Sequence, residues 1–159
     1  MDYKIIKKEA FIVIGKIIKI STCDGEHHQS ISEFWSECFA DGTCERLYTL
    51  GNTQNMIGIS LDFQEDMEQM SYMIAIEDVS NLEDTEFHTR EIPAANWAIF
   101  ASVGPLPFAI QGVLKKIFQE WFPATGYEHA NAPVLEVYPS GDTSASDYKC
   151  EVWIPILRK

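Results

Sequence analysis

Strand, helix, strand, strand: this order runs through the chain twice, at a spacing of roughly eighty residues. In the first pass, Tyr3 to Ser21 is rich in Ile, Val and Phe, with Gly15 in its middle. It reads as one long bent strand or two short ones, with Gly15 marking a bulge. Thr22 to Gln29 is polar and loop-like, and a helix is expected from about Ser30. Ile31, Phe34, Trp35, Cys38 and Phe39 fall at i, i+3, i+4, i+7 and i+8, which makes one apolar stripe. Asp41-Gly42 ends it. A strand over Met56–Leu61, an acidic turn over Phe63–Gln69, a strand over Ser71–Glu77 and a loop over Asp78–Thr85 complete the pass.

The second pass opens with a strand region from Phe87 to Val103, broken at Pro93. Gly104-Pro105-Leu106-Pro107 introduces a helix, with Pro107 suited to its first turn. Ile110, Val113, Leu114, Ile117, Phe118, Trp121 and Phe122 carry its apolar stripe, and Pro123 stops it. Phe118 and Phe122 are expected in the core. Two further β-rich runs follow, Pro133–Pro139 and Tyr148–Ile156, joined by a Ser/Gly/Asp-rich loop. Each half therefore predicts a small sheet with one helix on its aliphatic face. The fold class is α+β: a duplicated βαββ repeat, residues 1–80 and 86–159, in one domain spanning 1–159. The expected sheet is antiparallel, with both helices on one face and a ligand groove between the halves on the other.

The closing hairpin carries the most chemistry. Strand side chains alternate between faces. Leu135 and Val137 share one face, as do Val152, Ile154 and Ile156; these are expected under a helix. The other parity repeats one pair twice, Glu136 with Tyr138 and Glu151 with Trp153. If the runs pair in phase, one face carries two carboxylates flanked by aromatic rings. Such a surface suits a cationic or polarised ring compound, because carboxylates and π faces both attract positive charge. A merely wet sheet face is the plain alternative. Trp97 and Trp121 are further candidates; alternation leaves the face of Trp97 open, and packing is the plain reading of Trp121.

Charge and cysteines narrow the classes. The net charge is −12, so direct binding to a phosphate backbone is not expected. Lys residues concentrate in the first strand region, and most acids come later. Cys23, Cys38, Cys44 and Cys150 form no Cys-x-x-Cys pair and read as free thiols. His27, His28, His88 and His129 lack metal-ligand spacing, and the acidic turn lacks a calcium-loop pattern. No metal or cofactor is expected. No apolar run approaches the ~20 residues that span a bilayer, and the start lacks a secretory pattern, so a cytoplasmic, membrane-free protein is expected.

Ile92-Pro93-Ala94-Ala95-Asn96-Trp97-Ala98-Ile99-Phe100, Gly104-Pro105, Glu120-Trp121-Phe122-Pro123, Gly126-Tyr127-Glu128, Glu136-Val137-Tyr138 and Glu151-Val152-Trp153-Ile154-Pro155-Ile156 follow one another in this order. The succession resembles the gyrase-inhibitor-like, or AraC-type effector-binding, small-molecule-binding domains, most clearly over residues 86–159. The resemblance implies a duplicated βαββ fold with a groove, and a buried Glu on the penultimate strand that contacts cationic ligands, here Glu136. It implies a second acidic–aromatic pair on the last strand, Glu151 and Trp153. Trp97 departs from the usual Tyr of this motif. No helix-turn-helix segment is visible, so the implied role is that of a stand-alone effector-binding module, without the DNA-binding part of a transcription regulator.

Three functions compete. The first is binding of a lipophilic, cationic or aromatic small molecule, with Glu136 as counter-charge and Tyr138 and Trp153 as walls. The second, which the resemblance also implies, is a hydrolase acting on strained, cyclopropane-containing rings, with Glu136 or Glu151 as general acid or base. The third is an acidic inhibitor of a DNA enzyme such as gyrase.

Overall fold

The computed structural model describes residues 2–23, 26–62, 69–78 and 86–159. Nine strands lie within them: β1 (Tyr3–Lys8), β2 (Phe11–Ser21), β3 (Asn55–Leu61), β4 (Gln69–Asp78), β5 (His88–Ile92), β6 (Ala95–Val103), β7 (Tyr127–His129), β8 (Val134–Pro139) and β9 (Lys149–Arg158). The helices are α1 (Glu26–Ala40), α2 (Thr43–Gly51) and α3 (Phe108–Lys116). All strands join one antiparallel sheet in the order β1-β6-β9-β8-β3-β4-β2-β5, with β7 added beside β9. Exchanging β1 with β5, β2 with β6, β3 with β8 and β4 with β9 returns the same order. The duplication expected from element order is therefore present, and β3 and β8 meet at its centre.

The two links that cross between halves dictate the sheet's shape. Only Glu9 and Ala10 separate β1 from β2, yet six strand spacings lie between these strands. In a flat sheet those spacings measure about 29 Å. The link from Lys8 to Phe11 reaches at most about 11 Å. The sheet must therefore roll until its two edges approach. Lys8 on β1 does reach Glu77 on β4, with Nζ 3.1 Å from Oε1. Pro93 and Ala94 impose the same demand between β5 and β6.

The roll gives the sheet an inner and an outer face. Val13, Ile59, Met73, Ile92, Trp97 and Leu135 lie in one core cluster on the inner face; those described as packing there are strand residues of both halves. The outer face carries the helices. α1 and α2 cover Ile14, Met56, Tyr72, Ile74 and Ile76. α3 covers Ala98, Phe100, Val152 and Ile154. One transverse row proves that both helix layers share a face: Ile74 lies opposite Gly58, Gly58 opposite Glu136, and Glu136 opposite Val152.

Several local expectations change. α1 begins at Glu26, ahead of the expected Ser30. Asp41-Gly42 ends α1 and also starts α2, which was not anticipated. Gly42 takes the left-handed conformation at φ 85°, and the Asp41 carboxylate accepts the Thr43 N–H at 2.9 Å and hydroxyl at 2.6 Å. Gly15 marks no bulge, because the β2–β4 register runs unbroken through it. A side chain there would collide with the Ile74 carbonyl and the Ala75 backbone, so the glycine permits a close approach of two strands. α3 continues through a π-helical turn, Ile117–Trp121, into a last turn, Phe122–Ala124. The wider turn shifts the stripe's phase: Ile117 and Trp121 stay buried, while Phe118 is 45% exposed and not in the core. The expected acidic turn and most of the Asp78–Thr85 loop lie outside the described residues.

Candidate functional site

The row Ile74–Gly58–Glu136–Val152 crosses the seam between the two helix layers, and its centre is chemically unusual. Gly58 contributes no side chain. A Cβ at Gly58 would collide with the Tyr72 hydroxyl and lie 3.2 Å from Glu136 Oε1. Tyr72 uses that gap. It sits on β4, entirely buried, and its hydroxyl donates to Glu136 Oε1 at 3.0 Å. The Trp35 indole of α1 donates to the same Tyr72 oxygen at 2.9 Å. A second phenol, that of Tyr138, lies close enough to Glu136 to lower its carboxyl pKa. The Trp35 and Tyr138 rings meet edge to face, 5.3 Å apart at 82°. Glu136 thus lies under Trp35, between two phenols, on the β8 strand that joins the halves.

Electrostatics follow from this enclosure. Burial raises the Glu136 pKa above its ordinary value, and the hydrogen bond from Tyr72, with the nearby Tyr138 hydroxyl, opposes the shift. Burial, then the negative charge of Glu136, drives the Tyr72 and Tyr138 pKa values well up, so both remain hydroxyl donors. Among the described residues no Lys, Arg or His pairs with Glu136. The residue as a whole is half-buried. Cys150, on the neighbouring strand, is buried and its thiol is pushed up to about 11, chiefly by that burial. It is no thiolate nucleophile at neutral pH.

The other expected site residues divide. The register sets Leu135 opposite Trp153 and Val137 opposite Glu151, so Glu151 and Trp153 lie on the inner face. The single face with both carboxylates does not form, because the two runs pair out of the expected phase. Leu135 belongs to the inner core and not to the helix-covered one, and Glu136 lies on the helix side, where the expected groove is not. Trp153 donates to Glu151 Oε1 at 3.2 Å. Trp97 is fully buried on the inner face, 6.0 Å from the Trp153 ring. Trp121 packs under α3, stacked on Tyr127 and edge-on to Tyr3 and Phe100. Trp35, Tyr72 and Gly58 were missed. Tyr72 had a signal: a phenol at the head of the apolar run Tyr72–Ile76 needs an acceptor for its hydroxyl when buried.

Two surface hollows, of about 270 and 300 Å³, lie away from Glu136. One runs between β2 and α1 past Glu33, and the other surrounds Lys19 and Asp62. The carboxylate of Asp62 is already paired with Arg90. Neither hollow offers an enclosed carboxylate without a cation. Among the described residues no three His, Cys, Asp or Glu side chains converge as a metal site. No described helix is long and apolar enough to cross a membrane.

A family model for the GyrI-like small molecule binding domain matches residues 1–157. The chain belongs to this family. As a GyrI-like domain it is a small-molecule-binding domain. Its fold is that of solved GyrI-like relatives. It resembles SAV2435, solved bound to tetraphenylphosphonium, with TM-score 0.86 and 22% identity over 99% of this chain and 94% of that one. A Staphylococcus aureus MU50 protein assigned to bacterial transcription regulation superposes at TM-score 0.79, with 23% identity and 98% of each chain covered. The C-terminal domain of EcmrR aligns at TM-score 0.63 and 14% identity, over 99% of this chain and 98% of that one. No curated protein matches the chain by sequence.

Proposed function

We propose that this GyrI-like domain binds lipophilic aromatic cations, with Glu136 as the counter-charge. The observation that carries the reading is an enclosed carboxylate with the Tyr72 hydroxyl donating to it, aromatic rings around it and, among the described residues, no cation paired with it. An ionised carboxylate in such surroundings gains from any cation that can reach it, and the rings of Trp35 and Tyr138 favour one with apolar bulk. That a relative of the same fold is solved with tetraphenylphosphonium supports this ligand class. The role follows as that of an effector-binding module, whose regulatory partner would be a protein. The test is titration with tetraphenylphosphonium, read by Trp fluorescence, on the natural chain and on Glu136→Gln. Saturable quenching lost in the variant is expected. Equal affinity in both proteins would sink the assignment.

Hydrolysis of a strained ring is the second reading, favoured by the raised pKa of Glu136, which suits a general acid. It predicts turnover of a cyclopropane-containing compound that stops in Glu136→Gln.

A further inference from the structure

β1 stands at one end of the strand order, with β6 on one side and, among the described residues, no strand on the other. Lys8 lies opposite Ala95 and Phe11 opposite Ile92, so the β1–β6 and β2–β5 ladders continue in step across the two-residue links. The second edge of β2 is taken by β4, which stops at Asp78, opposite Ile12. β1 runs on past that end, and no described strand takes its second edge. Such an edge presents a row of backbone N–H and C=O groups to any extended chain that reaches it.

The side chains of β1 say which chain fits. Tyr3 and Ile5 share the outer face and are 44% and 41% exposed. The Tyr3 ring stands against Phe100 and Trp121, so this apolar strip has a packed backing. Lys4 and Lys7 are exposed, and neither pairs with a described carboxylate. From Tyr3 to Lys8 there are three ammonium groups and no carboxylate, in a chain of net charge −12. Lysines on an edge strand repel a second copy of that strand. The same charges attract a strand that carries carboxylates. β5, the other end strand, differs: its exposed residues are all polar, and Arg90 is already paired with Asp62.

We propose that β1 is a docking edge for an extended, acidic segment of a partner protein, which joins the sheet as a further antiparallel strand. Carboxylates of the segment stand opposite Lys4 and Lys7, and aliphatic side chains opposite Tyr3 and Ile5. β6 and β9 separate this edge from β8, so a small molecule at Glu136 and a strand on β1 use different atoms.

The probe is the peptide acetyl-Thr-Glu-Thr-Val-Glu-Val, labelled at its C-terminus with fluorescein and titrated with the full chain by anisotropy. Laid antiparallel to Tyr3–Lys8, it sets its Glu residues opposite Lys7 and Lys4 and its Val residues opposite Ile5 and Tyr3. A control replaces both Glu by Lys. The acidic peptide is expected to bind about tenfold more tightly, since two cross-strand pairs are favourable in one and repulsive in the other. Lys4→Glu combined with Lys7→Glu should reverse the order; both side chains are exposed, so the variant is expected to fold. Charge alone draws peptides to surfaces, so two further acidic peptides decide, N-methylated on alternate residues in the two possible phases. Methyl groups on the edge that meets β1 should abolish binding, and those on the far edge should leave Kd within about threefold. No binding of the acidic peptide, equal binding of the acidic and basic ones, or equal binding of the two methylated ones overturns the inference. So does a dimer in sedimentation that Ile5→Lys dissociates, because the edge then belongs to a second copy.

Discussion

Glu136-Val137-Tyr138 and Glu151-Val152-Trp153 are the same motif on neighbouring strands, and they end in opposite environments. On β8 the motif faces the helices, and the buried phenol of Tyr72 donates to its carboxylate. On β9 it faces the inside of the roll, and its carboxylate takes one indole N–H from its own motif. The cause is register. Leu135 lies opposite Trp153, so residues of unlike motif position share a face. A shift by one residue in the pairing of β8 with β9 would have put both carboxylates together. The motif supplies a carboxylate and a ring; the neighbouring strands decide whether they form a site.

The largest expected effect tests the inner face. Leu135 is 2% exposed in the core that both halves share, so Leu135→Ala should cost about 2–5 kcal/mol in urea denaturation. A cost below about 1 kcal/mol would mean that the inner face is not a packed core, and the contrast between the faces would fail.

Next comes ligand affinity. Glu136→Ala should cost about 2 kcal/mol or more of binding to tetraphenylphosphonium, while Glu151→Ala should leave Kd within about threefold. Equal losses would show that both motifs meet the ligand. Folding should change less than binding, because removing the enclosed carboxylate relieves its desolvation but leaves the buried Tyr72 hydroxyl without its acceptor.

A pH series sharpens the comparison. The folded pKa of Glu136 is raised, so its contribution to stability is full below the ordinary carboxyl value and is lost as pH rises through the folded value. Urea midpoints from about pH 4 to about pH 8 should therefore fall more in the natural chain than in Glu136→Gln. Cation affinity should run the other way, growing as Glu136 ionises. Parallel stability profiles for the two proteins would place Glu136 in solvent. The smallest effect belongs to Glu151→Gln, which keeps an acceptor for Trp153 and should change stability by no more than about 0.5 kcal/mol.

These contrasts mark what was legible in the sequence. The duplicated order was, because apolar stripes at helical and strand periods are local properties. That Glu136 and Tyr138 share a face was, because alternate residues of a strand point the same way. The partnership of Tyr72 with Glu136 was not, since it joins β4 to β8 across β3 and depends on Gly58 being empty. The β8–β9 register was not either: the loop from Ser140 to Tyr148 is long enough to allow either phase. α2 escaped notice because its buried residues, Thr43, Cys44 and Leu47, span barely one turn. Phe118 was misplaced because a π turn alters the period on which the stripe was read.

The two-residue links at Glu9–Ala10 and Pro93–Ala94 have a consequence for how the molecule is made. Each half lends its first strand to the other: Tyr3 pairs with Phe100, and Phe11 with Ile92. On a ribosome, β1 must wait for some ninety residues of synthesis before its partner exists. A fragment ending near residue 80 would leave the edge of β2 without β5, and one starting near residue 86 would leave β6 without β1. Neither half keeps all of its strand pairs when the other is missing. Pairing over such separations is slow, because chain closure must precede any reward. The half-made protein therefore presents open strand edges, and assembly of the whole is expected to be one cooperative late event.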